Sequence, residues 1–182
     1  MRHVALISTG GTIEKTYDER TGRLENRASI VRRMLDQLRL EDVAINSIQL
    51  LSKDSLDMTA DDRRRIAEMV RVMMGEGDTD GDGETDGVVI LHGTDTLCET
   101  GEHLCSELST PPIPIVLTGA MRPFEMKESD ALQNLTEALF ATGALPPGVF
   151  AVAHGRALRF PGVRKDAERG TFVKIRSPIG PD

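Results

Sequence analysis

Short apolar runs that alternate with helix-like patterns restrict most strongly how this chain can fold. Five of these runs have the length of a buried strand, and they lie at 3–8, 43–51, 87–91, 113–118 and 148–153. Apolar residues with helical spacing occupy the segments between them, at 27–39, 59–74, 96–109 and 129–142. This alternation favours parallel strands joined by right-handed helical crossovers. We therefore predict an α/β fold, a doubly wound, flavodoxin-like or Rossmann-like parallel sheet of about five or more strands flanked by helices.

The size and charge of the chain narrow the classes of function that it can have. Its 182 residues predict one domain over 1–182. A net charge of −7, one Tyr and no Trp argue against nucleic-acid binding, which uses clustered Lys and Arg and aromatic stacking. No apolar run reaches the roughly 18 residues of a membrane span, and the apolar run after His3 is too short for a secretory signal. We expect a cytoplasmic protein that binds neither nucleic acid nor membranes.

The cysteine and acidic patterns offer little support for a metal centre. Cys98 and Cys105 lie in one predicted helix, about 10 Å apart along its axis, which is too far for a disulfide. We predict reduced thiols there. The segment from Asp78 to Asp86 begins with the spacing of an EF-hand calcium loop, but Val89 stands where the closing glutamate is needed. Structural or adventitious calcium and a plain acidic connection remain alternatives, and we predict no resident metal and no cofactor. The charged tail from Arg164 onward is expected to be partly irregular.

A glycine pair follows the first apolar run, in Thr9-Gly10-Gly11-Thr12. Glycines let the backbone turn sharply and approach a ligand, and consecutive N–H groups in such a turn can bind an anion. Thr12 would then lie at the wall of a pocket as a candidate nucleophile. The alternative is a strand-to-helix turn without chemistry. The spacing is not Gly-x-Gly-x-x-Gly, so this is not a dinucleotide fingerprint.

A second hydroxyl-bearing turn, His92-Gly93-Thr94-Asp95-Thr96, follows the third apolar run. Ligands of open parallel sheets bind at the carboxyl ends of the strands, so both turns are expected at one pocket. A threonine hydroxyl becomes a good nucleophile only when a base takes its proton. Helix capping by Thr94 or Asp95 is the alternative. His92 is expected to have a structural role, and His154, after the fifth run, is a further site candidate.

Several blocks of this sequence resemble the bacterial-type L-asparaginase family, and more narrowly its N-terminal domain. Thr-Gly-Gly-Thr-Ile at 9–13 and His-Gly-Thr-Asp-Thr at 92–96 are similar to the two signature motifs of that family. Leu-Thr-Gly-Ala-Met-Arg-Pro at 117–123 resembles a third block, and the segment from Ser129 to Leu135 resembles the helix after it. Asp-Ser-Leu-Asp-Met at 54–58 resembles the substrate-anchoring loop. The resemblance extends from residue 3 to about residue 174 and implies the fold of that domain.

The resemblance implies an amidohydrolase that cleaves the side-chain amide of asparagine through an acyl-enzyme, without a cofactor. Thr12 matches the primary nucleophile of the family. Thr94, Asp95 and Lys165 match its second catalytic group, a Thr–Lys–Asp relay. In its own context Lys165 is one charge in Arg164-Lys165-Asp166, usually a solvated run, so its role rests on the resemblance.

The resemblance also implies how a substrate would be held. Ser55 matches the residue that binds the α-carboxylate, Asp95 matches the group that pairs with the α-ammonium, and the carbonyl of Ala120 accepts from the leaving amide nitrogen. The N–H groups of Thr12 and Thr94 would stabilise the oxyanion. The implied binding residues are Gly11, Ser55, Gly93, Thr94, Asp95 and Ala120. Tyr17, in the polar stretch 14–22, resembles the lid tyrosine that helps activate the nucleophile, and a single exposed loop tyrosine is the alternative.

Two features depart from the pattern of the family. Full-length members are nearly twice as long, and their smaller C-terminal domain completes the α-ammonium site of a neighbouring subunit. We expect this chain to be a short, single-domain form without that domain. Glu14 is the second departure, because a small or apolar residue is expected two positions after the nucleophile. Our hypothesis is that Glu14 replaces the missing acidic contact to the substrate ammonium.

The function predicted from these residues is hydrolysis of L-asparagine to L-aspartate and ammonia. A first domain alone exposes surface that normally packs on a partner, so we expect a homodimer or higher homo-oligomer. The alternative is a non-catalytic module that binds a small amino acid, or an amidotransferase-associated subunit that retains the pocket.

Overall fold

The computed structural model describes residues 1–75 and 85–175, and a six-stranded sheet with helices on both faces dominates it. The strands are β1 Arg2–Gly10, β2 Thr16–Asp18, β3 Arg23–Glu25, β4 Val43–Lys53, β5 Gly87–Leu91, β6 Pro114–Thr118, β7 Gly148–Ala153, β8 Arg156–Arg159, β9 Val163–Asp166 and β10 Thr171–Lys174. The helices are α1 Val31–Leu35, α2 Ala60–Met73, α3 Leu97–Glu107 and α4 Ala131–Ala144, with 3₁₀ turns at Thr12–Glu14 and Ser55–Asp57. The predicted α/β fold is confirmed.

The strand order of the main sheet places one switch point beside β1. The order is β4-β1-β5-β6-β7-β8, in which the first five strands are parallel and β8 runs antiparallel to β7. The chain leaves β1 toward one edge of the sheet, and it leaves β5 toward the other. The carboxyl ends of β1 and β5 therefore flank the crevice where open α/β sheets bind ligands.

Two hydrophobic cores lie on opposite faces of the sheet, because successive side chains of a strand point to opposite sides. Ala5 and Ile7 of β1 pack with α2 and α3 in one core, whereas Val4 and Leu6 pack with α1 and α4 in the other. Strands that are buried on both faces must be apolar throughout, which is why the runs of β1, β5, β6 and β7 were recognisable in the sequence.

Two segments differ from their predicted local structure. The helix predicted over 27–39 forms only at Val31–Leu35, because the residues before it make other contacts: Arg27 pairs with Asp18 of β2, and the Ser29 hydroxyl donates to Glu14. The tail from Arg164 onward, predicted to be partly irregular, forms the antiparallel pair β9–β10 up to Lys174, and residues 176–182 lie outside the described part of the chain. Val163 and Phe172, which are 3% and 4% exposed, anchor this hairpin in the core and so override its charged sequence.

The described residues also bear on the other sequence expectations. No helix among residues 1–75 and 85–175 is long and apolar enough to cross a membrane. Cys98 and Cys105 are free thiols, as predicted. Most of the acidic segment 78–86 lies outside the described residues, so the calcium prediction is untested there. Its last residue, Asp86, accepts a 2.7 Å hydrogen bond from the His3 backbone N–H.

Candidate active site

The two threonine turns meet at the carboxyl ends of β1 and β5. Gly11 has a φ of +83°, a conformation that favours glycine, and a side chain there would overlap the backbone of Gly93. The Thr9 hydroxyl bridges the same strands by donating to the Leu91 carbonyl at 2.8 Å. Backbone contact between the turns therefore depends on glycine, and it brings Thr12 and Thr94 to one place.

A third turn, at Ser55, packs against the second. A carbon added at Gly93 would lie 2.6 Å from the Ser55 hydroxyl oxygen, and the Thr96 hydroxyl donates to the Ser55 carbonyl at 2.8 Å. Ser55 is 1% exposed, yet its hydroxyl has no hydrogen-bond partner among the described residues. A buried polar group without a partner is rare and points to a ligand at this position.

Lys165 joins the second turn from far along the chain. Its Nζ lies 2.8 Å from Thr94 Oγ1 and 2.7 Å from Asp95 Oδ1. Thr94 is 4% exposed, whereas the Asp95 side chain is 46% exposed, so the lysine connects a buried hydroxyl with a carboxylate at the surface. Lys165 thus links a threonine hydroxyl to a carboxylate, and a chain of such groups is the arrangement that proton transfer needs.

Thr12 presents free polar groups to the same crevice. It begins the 3₁₀ turn after β1 and is partly exposed. Within residues 1–75 and 85–175, neither its hydroxyl nor its N–H makes a hydrogen bond, and the Thr94 N–H also has no partner there. The arrangement can therefore offer one hydroxyl and two N–H donors to a bound carbonyl group.

The glycine N–H groups of the first turn are not available as an anion site. The Gly10 N–H donates to Glu14 at 3.2 Å, and the Gly11 N–H donates to the Lys53 carbonyl at 2.9 Å. The predicted nest of glycine N–H groups is thus used within the protein. Gly11 contributes by close packing, and Thr12 supplies the free N–H of this turn.

Glu14 lies inside the protein rather than at the surface of the crevice. It is 3% exposed, and it accepts hydrogen bonds from the Ser8 hydroxyl, from the Ser29 hydroxyl at 2.5 Å and from the Gly10 N–H. Both carboxylate oxygens are engaged by the chain itself. This placement argues against the hypothesis that Glu14 contacts a substrate ammonium. Its hydrogen bonds instead stabilise the conformation of the first turn.

The Glu14→Gln variant tests this role. Replacing one carboxylate oxygen by an amide NH2 removes charge-assisted acceptors, so we expect the free energy of unfolding to fall by about 1–3 kcal/mol. Urea unfolding measures the loss, with Glu19→Gln at an exposed position as the control. An unchanged free energy of unfolding together with a tenfold higher KM for asparagine would instead support the ammonium contact.

Tyr17 lies on a short hairpin beside the first turn. It belongs to β2, which pairs with β3, and its side chain is 58% exposed. Its backbone N–H donates to Glu125 at 3.1 Å, while its hydroxyl has no hydrogen-bond partner within the described part of the chain. The structure does not join Tyr17 to Thr12, so its role as a lid residue stays a prediction.

Ala120 lies in the loop after β6, next to the second turn. It is 1% exposed, and the preceding Thr118 carbonyl accepts the His92 backbone N–H at 2.8 Å. The neighbouring Gly119 carbonyl accepts from Asn134 at 2.8 Å, so the loop is held on both sides. This placement is consistent with a backbone acceptor at the edge of the crevice.

His92 has the structural role that was expected. It is fully buried, its Nδ1 donates to the Gly93 carbonyl and its Nε2 accepts from the Thr100 hydroxyl, both at 2.8 Å. Burial lowers the pKa of His92 to about 4. The neutral ring with its proton on Nδ1 satisfies both partners, and burial disfavours the charged form.

The pKa of His92 predicts a pH-dependent stability. Unfolding restores a pKa of about 6.5, so the unfolded state binds a proton that the folded state excludes, and stability falls as pH drops from about 6.5 to about 4. We expect a loss of about 2 kcal/mol between pH 7 and pH 5 from this residue.

Urea unfolding at several pH values measures this loss. In His92→Gln the free energy of unfolding should fall by about 2 kcal/mol less between pH 7 and pH 5 than in wild type. Asp62 does not interfere above pH 5, because the Lys53 ammonium lowers the pKa of that carboxyl to about 2 and its contribution is lost only at lower pH. Equal slopes in both proteins would contradict the assignment.

Sequence reasoning missed one residue that joins the turns. Lys15 lies three positions after Thr12, and its Nζ pairs with Asp54 at 2.5 Å. Chiefly through this hydrogen bond, Lys15 holds the pKa of Asp54 below its usual value. Asp54 in turn caps the Ser55 turn by accepting from the Leu56 N–H at 3.1 Å. Nothing in the local sequence distinguishes Lys15 from an exposed lysine.

Fold and site together define an α/β protein with paired threonine turns and a lysine–carboxylate contact at the switch point of its sheet. The family model described as "Asparaginase, N-terminal" matches residues 3–176. The chain therefore belongs to the asparaginase family.

Individual relatives agree with this family. An L-asparaginase of Thermococcus kodakarensis is 32% identical over 145 residues, which are 80% of this chain and 42% of the relative. The solved thermostable L-asparaginase from Thermococcus kodakarensis superposes with a TM-score of 0.81 at 29% identity, over 97% of this chain and 52% of that one.

Two further relatives are an amidotransferase subunit and another asparaginase. A glutamyl-tRNA(Gln) amidotransferase subunit of Methanobrevibacter smithii is 32% identical over 155 residues, 85% of this chain and 34% of the relative. A structure titled probable cytoplasmic L-asparaginase from Campylobacter jejuni superposes with a TM-score of 0.68 at 28% identity, over 91% of this chain and 48% of that one. The chain thus spans about a third to a half of the length of these relatives.

Proposed function

We propose that this protein hydrolyses the side-chain amide of L-asparagine to L-aspartate and ammonia, with Thr12 as the nucleophile. The observation that carries the proposal is the contact of Lys165 with both Thr94 and Asp95, because it joins a threonine hydroxyl, an amine and a carboxylate, the groups that a proton-transfer path needs. The family supports the same class of reaction.

The proposed reaction has two steps. The Thr12 oxygen attacks the amide carbon, the side chains at the second turn take up its proton and pass it to the amide nitrogen, and the C–N bond breaks as ammonia leaves. Water then attacks the resulting ester and gives a proton to the same side chains, which return it to the Thr12 oxygen as the ester C–O bond breaks and aspartate leaves. Thr94 and Lys165, which contact each other, form the path for this proton, and Asp95 holds Lys165 in place.

The binding contacts follow from the free polar groups of the site. The N–H groups of Thr12 and Thr94 hold the oxyanion. The buried Ser55 hydroxyl is free to donate to the α-carboxylate. Asp95 uses only Oδ1 for Lys165, so its other oxygen is free for the α-ammonium. The carbonyl of Ala120 accepts from the leaving nitrogen.

Ammonia release from L-asparagine and L-glutamine tests the proposal directly. We expect wild type to release ammonia from asparagine well above a Thr12→Ala background. No release above that background from either amide would refute hydrolysis of these substrates.

A second candidate comes from the amidotransferase relatives. Their description favours a subunit that retains the pocket and works within an amidotransferase, or a module that only binds a small amino acid. Calorimetry separates the two candidates: heat of binding for asparagine or aspartate without ammonia release supports the second.

We also propose a homo-oligomer in the cytoplasm whose ligand is an amino-acid amide. Large apolar side chains at the surface support self-association, since Leu56 is 71% and Phe140 is 70% exposed. The description of the Campylobacter jejuni structure supports the location. Light scattering coupled to size-exclusion chromatography measures the assembly, and a mass of one chain would exclude it.

A further inference from the structure

A cluster of four polar side chains connects the loop of Ala120 with the hairpin of Lys165. We call it the His154 cluster, and its members are Asp130, Asn134, His154 and Thr171. Asp130 precedes α4 and Asn134 lies in its first turn. His154 lies between β7 and β8, and Thr171 begins β10. None of the four belongs to the proposed reacting groups.

One half of the cluster holds the Ala120 loop. Asp130 accepts the Met121 N–H at 2.9 Å and the Arg122 N–H at 3.0 Å. Asn134 donates to the Gly119 carbonyl at 2.8 Å. Burial acts to raise the pKa of Asp130, but these N–H donors and His154 outweigh it and keep that pKa below its usual value. The residues on both sides of Ala120 are therefore bound to one end of α4.

The other half reaches the hairpin that carries Lys165. His154 Nε2 lies 2.8 Å from Asp130 Oδ2, and His154 Nδ1 lies 3.4 Å from Thr171 Oγ1. A ring that donates from Nε2 to a carboxylate has Nδ1 free to accept from a hydroxyl. Thr171 lies on β10, which pairs with β9 so that Phe172 faces Lys165. The imidazole thus links the loop and the hairpin through side-chain atoms.

The backbone conformation at residue 154 does not explain why a histidine stands there. His154 has a φ of +54° and Gly155 has a φ of +72° in a two-residue connection between paired Ala153 and Arg156. Two left-handed residues form a type I′ turn, for which Asn-Gly is the preferred pair. Asparagine would fit this turn better than histidine, so the turn alone does not explain the imidazole.

We infer that His154 is a positioning residue, which sets the distance between the Lys165 amine and the Ala120 carbonyl by tying the β9–β10 hairpin to the loop after β6. The inference rests on the proposed function, because that function uses both groups on the same substrate amide. Loss of the tie would leave each group intact but misplaced, and small misplacements of reacting groups lower turnover strongly.

The test separates the turn from the ring. His154→Asn keeps or improves the turn but removes the tie, so we expect an unchanged or higher Tm, a kcat at least about tenfold lower and a KM within about twofold of wild type. Thr171→Val should lower kcat similarly, Thr171→Ser should restore it, and the double variant should be no slower than either single one. Thr136→Val is the matched control, because that exposed hydroxyl bonds only within α4, to the Leu132 carbonyl.

Several results would overturn the inference. These are a kcat within twofold of wild type in both His154→Asn and Thr171→Val, a Thr171→Ser enzyme as slow as Thr171→Val, or losses that multiply in the double variant. If wild type releases no ammonia, the proposed function has failed on its own. Amide hydrogen exchange then judges the tie: faster exchange at Met121, Arg122 and β9 in His154→Asn supports it, and unchanged exchange overturns it.

Discussion

Thr12→Ala should abolish ammonia release from asparagine, with kcat at least about 1,000-fold below wild type, because removal of a nucleophile eliminates the covalent route. The fold should be unaffected. The Thr12 hydroxyl makes no hydrogen bond within the described residues, and the residue is only partly buried. We expect the free energy of unfolding to stay within about 0.5 kcal/mol of wild type.

The measurement combines steady-state ammonia release with urea unfolding. Thr16→Ala, at a partly buried threonine on the neighbouring β2, is the matched control and should retain turnover. A folded Thr12→Ala protein with more than a tenth of wild-type kcat would assign the nucleophile elsewhere.

Lys165→Met should lower kcat by about 100- to 10,000-fold, the range over which acid–base groups contribute. Methionine keeps most of the side-chain length but cannot take a proton from Thr94. The loss should appear in kcat more than in KM, because the amine serves proton transfer through the Thr94 hydroxyl and does not bind the substrate carboxylate. The side chain is 21% exposed and close to the surface, so the hairpin should stay folded.

The adjacent Arg164→Met variant is the control for Lys165→Met. Arg164 is exposed and lies on the opposite face of β9, since neighbouring side chains alternate along a strand. The Arg164→Met substitution removes one positive charge, as Lys165→Met does, but leaves the contact with Thr94 intact. Equal losses in the two variants would mean that the charge of the hairpin, rather than the Lys165–Thr94 contact, supports turnover.

Some strands could be predicted from the sequence and others could not, because only some are buried on both faces. β5 occupies the predicted range 87–91, because a strand buried on both faces must be a continuous apolar run. β9 was not predicted. Its Arg164 and Lys165 look solvated, and only the burial of Val163 and Phe172 against distant strands makes the segment a hairpin.

The candidate site shows the same division. The motifs around Thr12 and Thr94 were recognisable because each follows an apolar run and contains glycine. The placement of Glu14 argues against its predicted ligand contact, and the sequence does not show that Ser8, Ser29 and Gly10 surround its carboxylate. A carboxylate near a proposed nucleophile can face a ligand or the interior, and only packing distinguishes the two.

By itself, the sequence determined the α/β class, the central strands and the two threonine turns, since these depend on local periodicity and on glycine at sharp turns. Only the tertiary structure decided that Lys165 contacts Thr94 and Asp95 across about seventy residues of chain, and that His154 joins the Asp130 carboxylate to Thr171. Such contacts depend on how the strands are ordered in the sheet and which side chains the cores bury. These are properties of the whole fold, which no short segment of the sequence records.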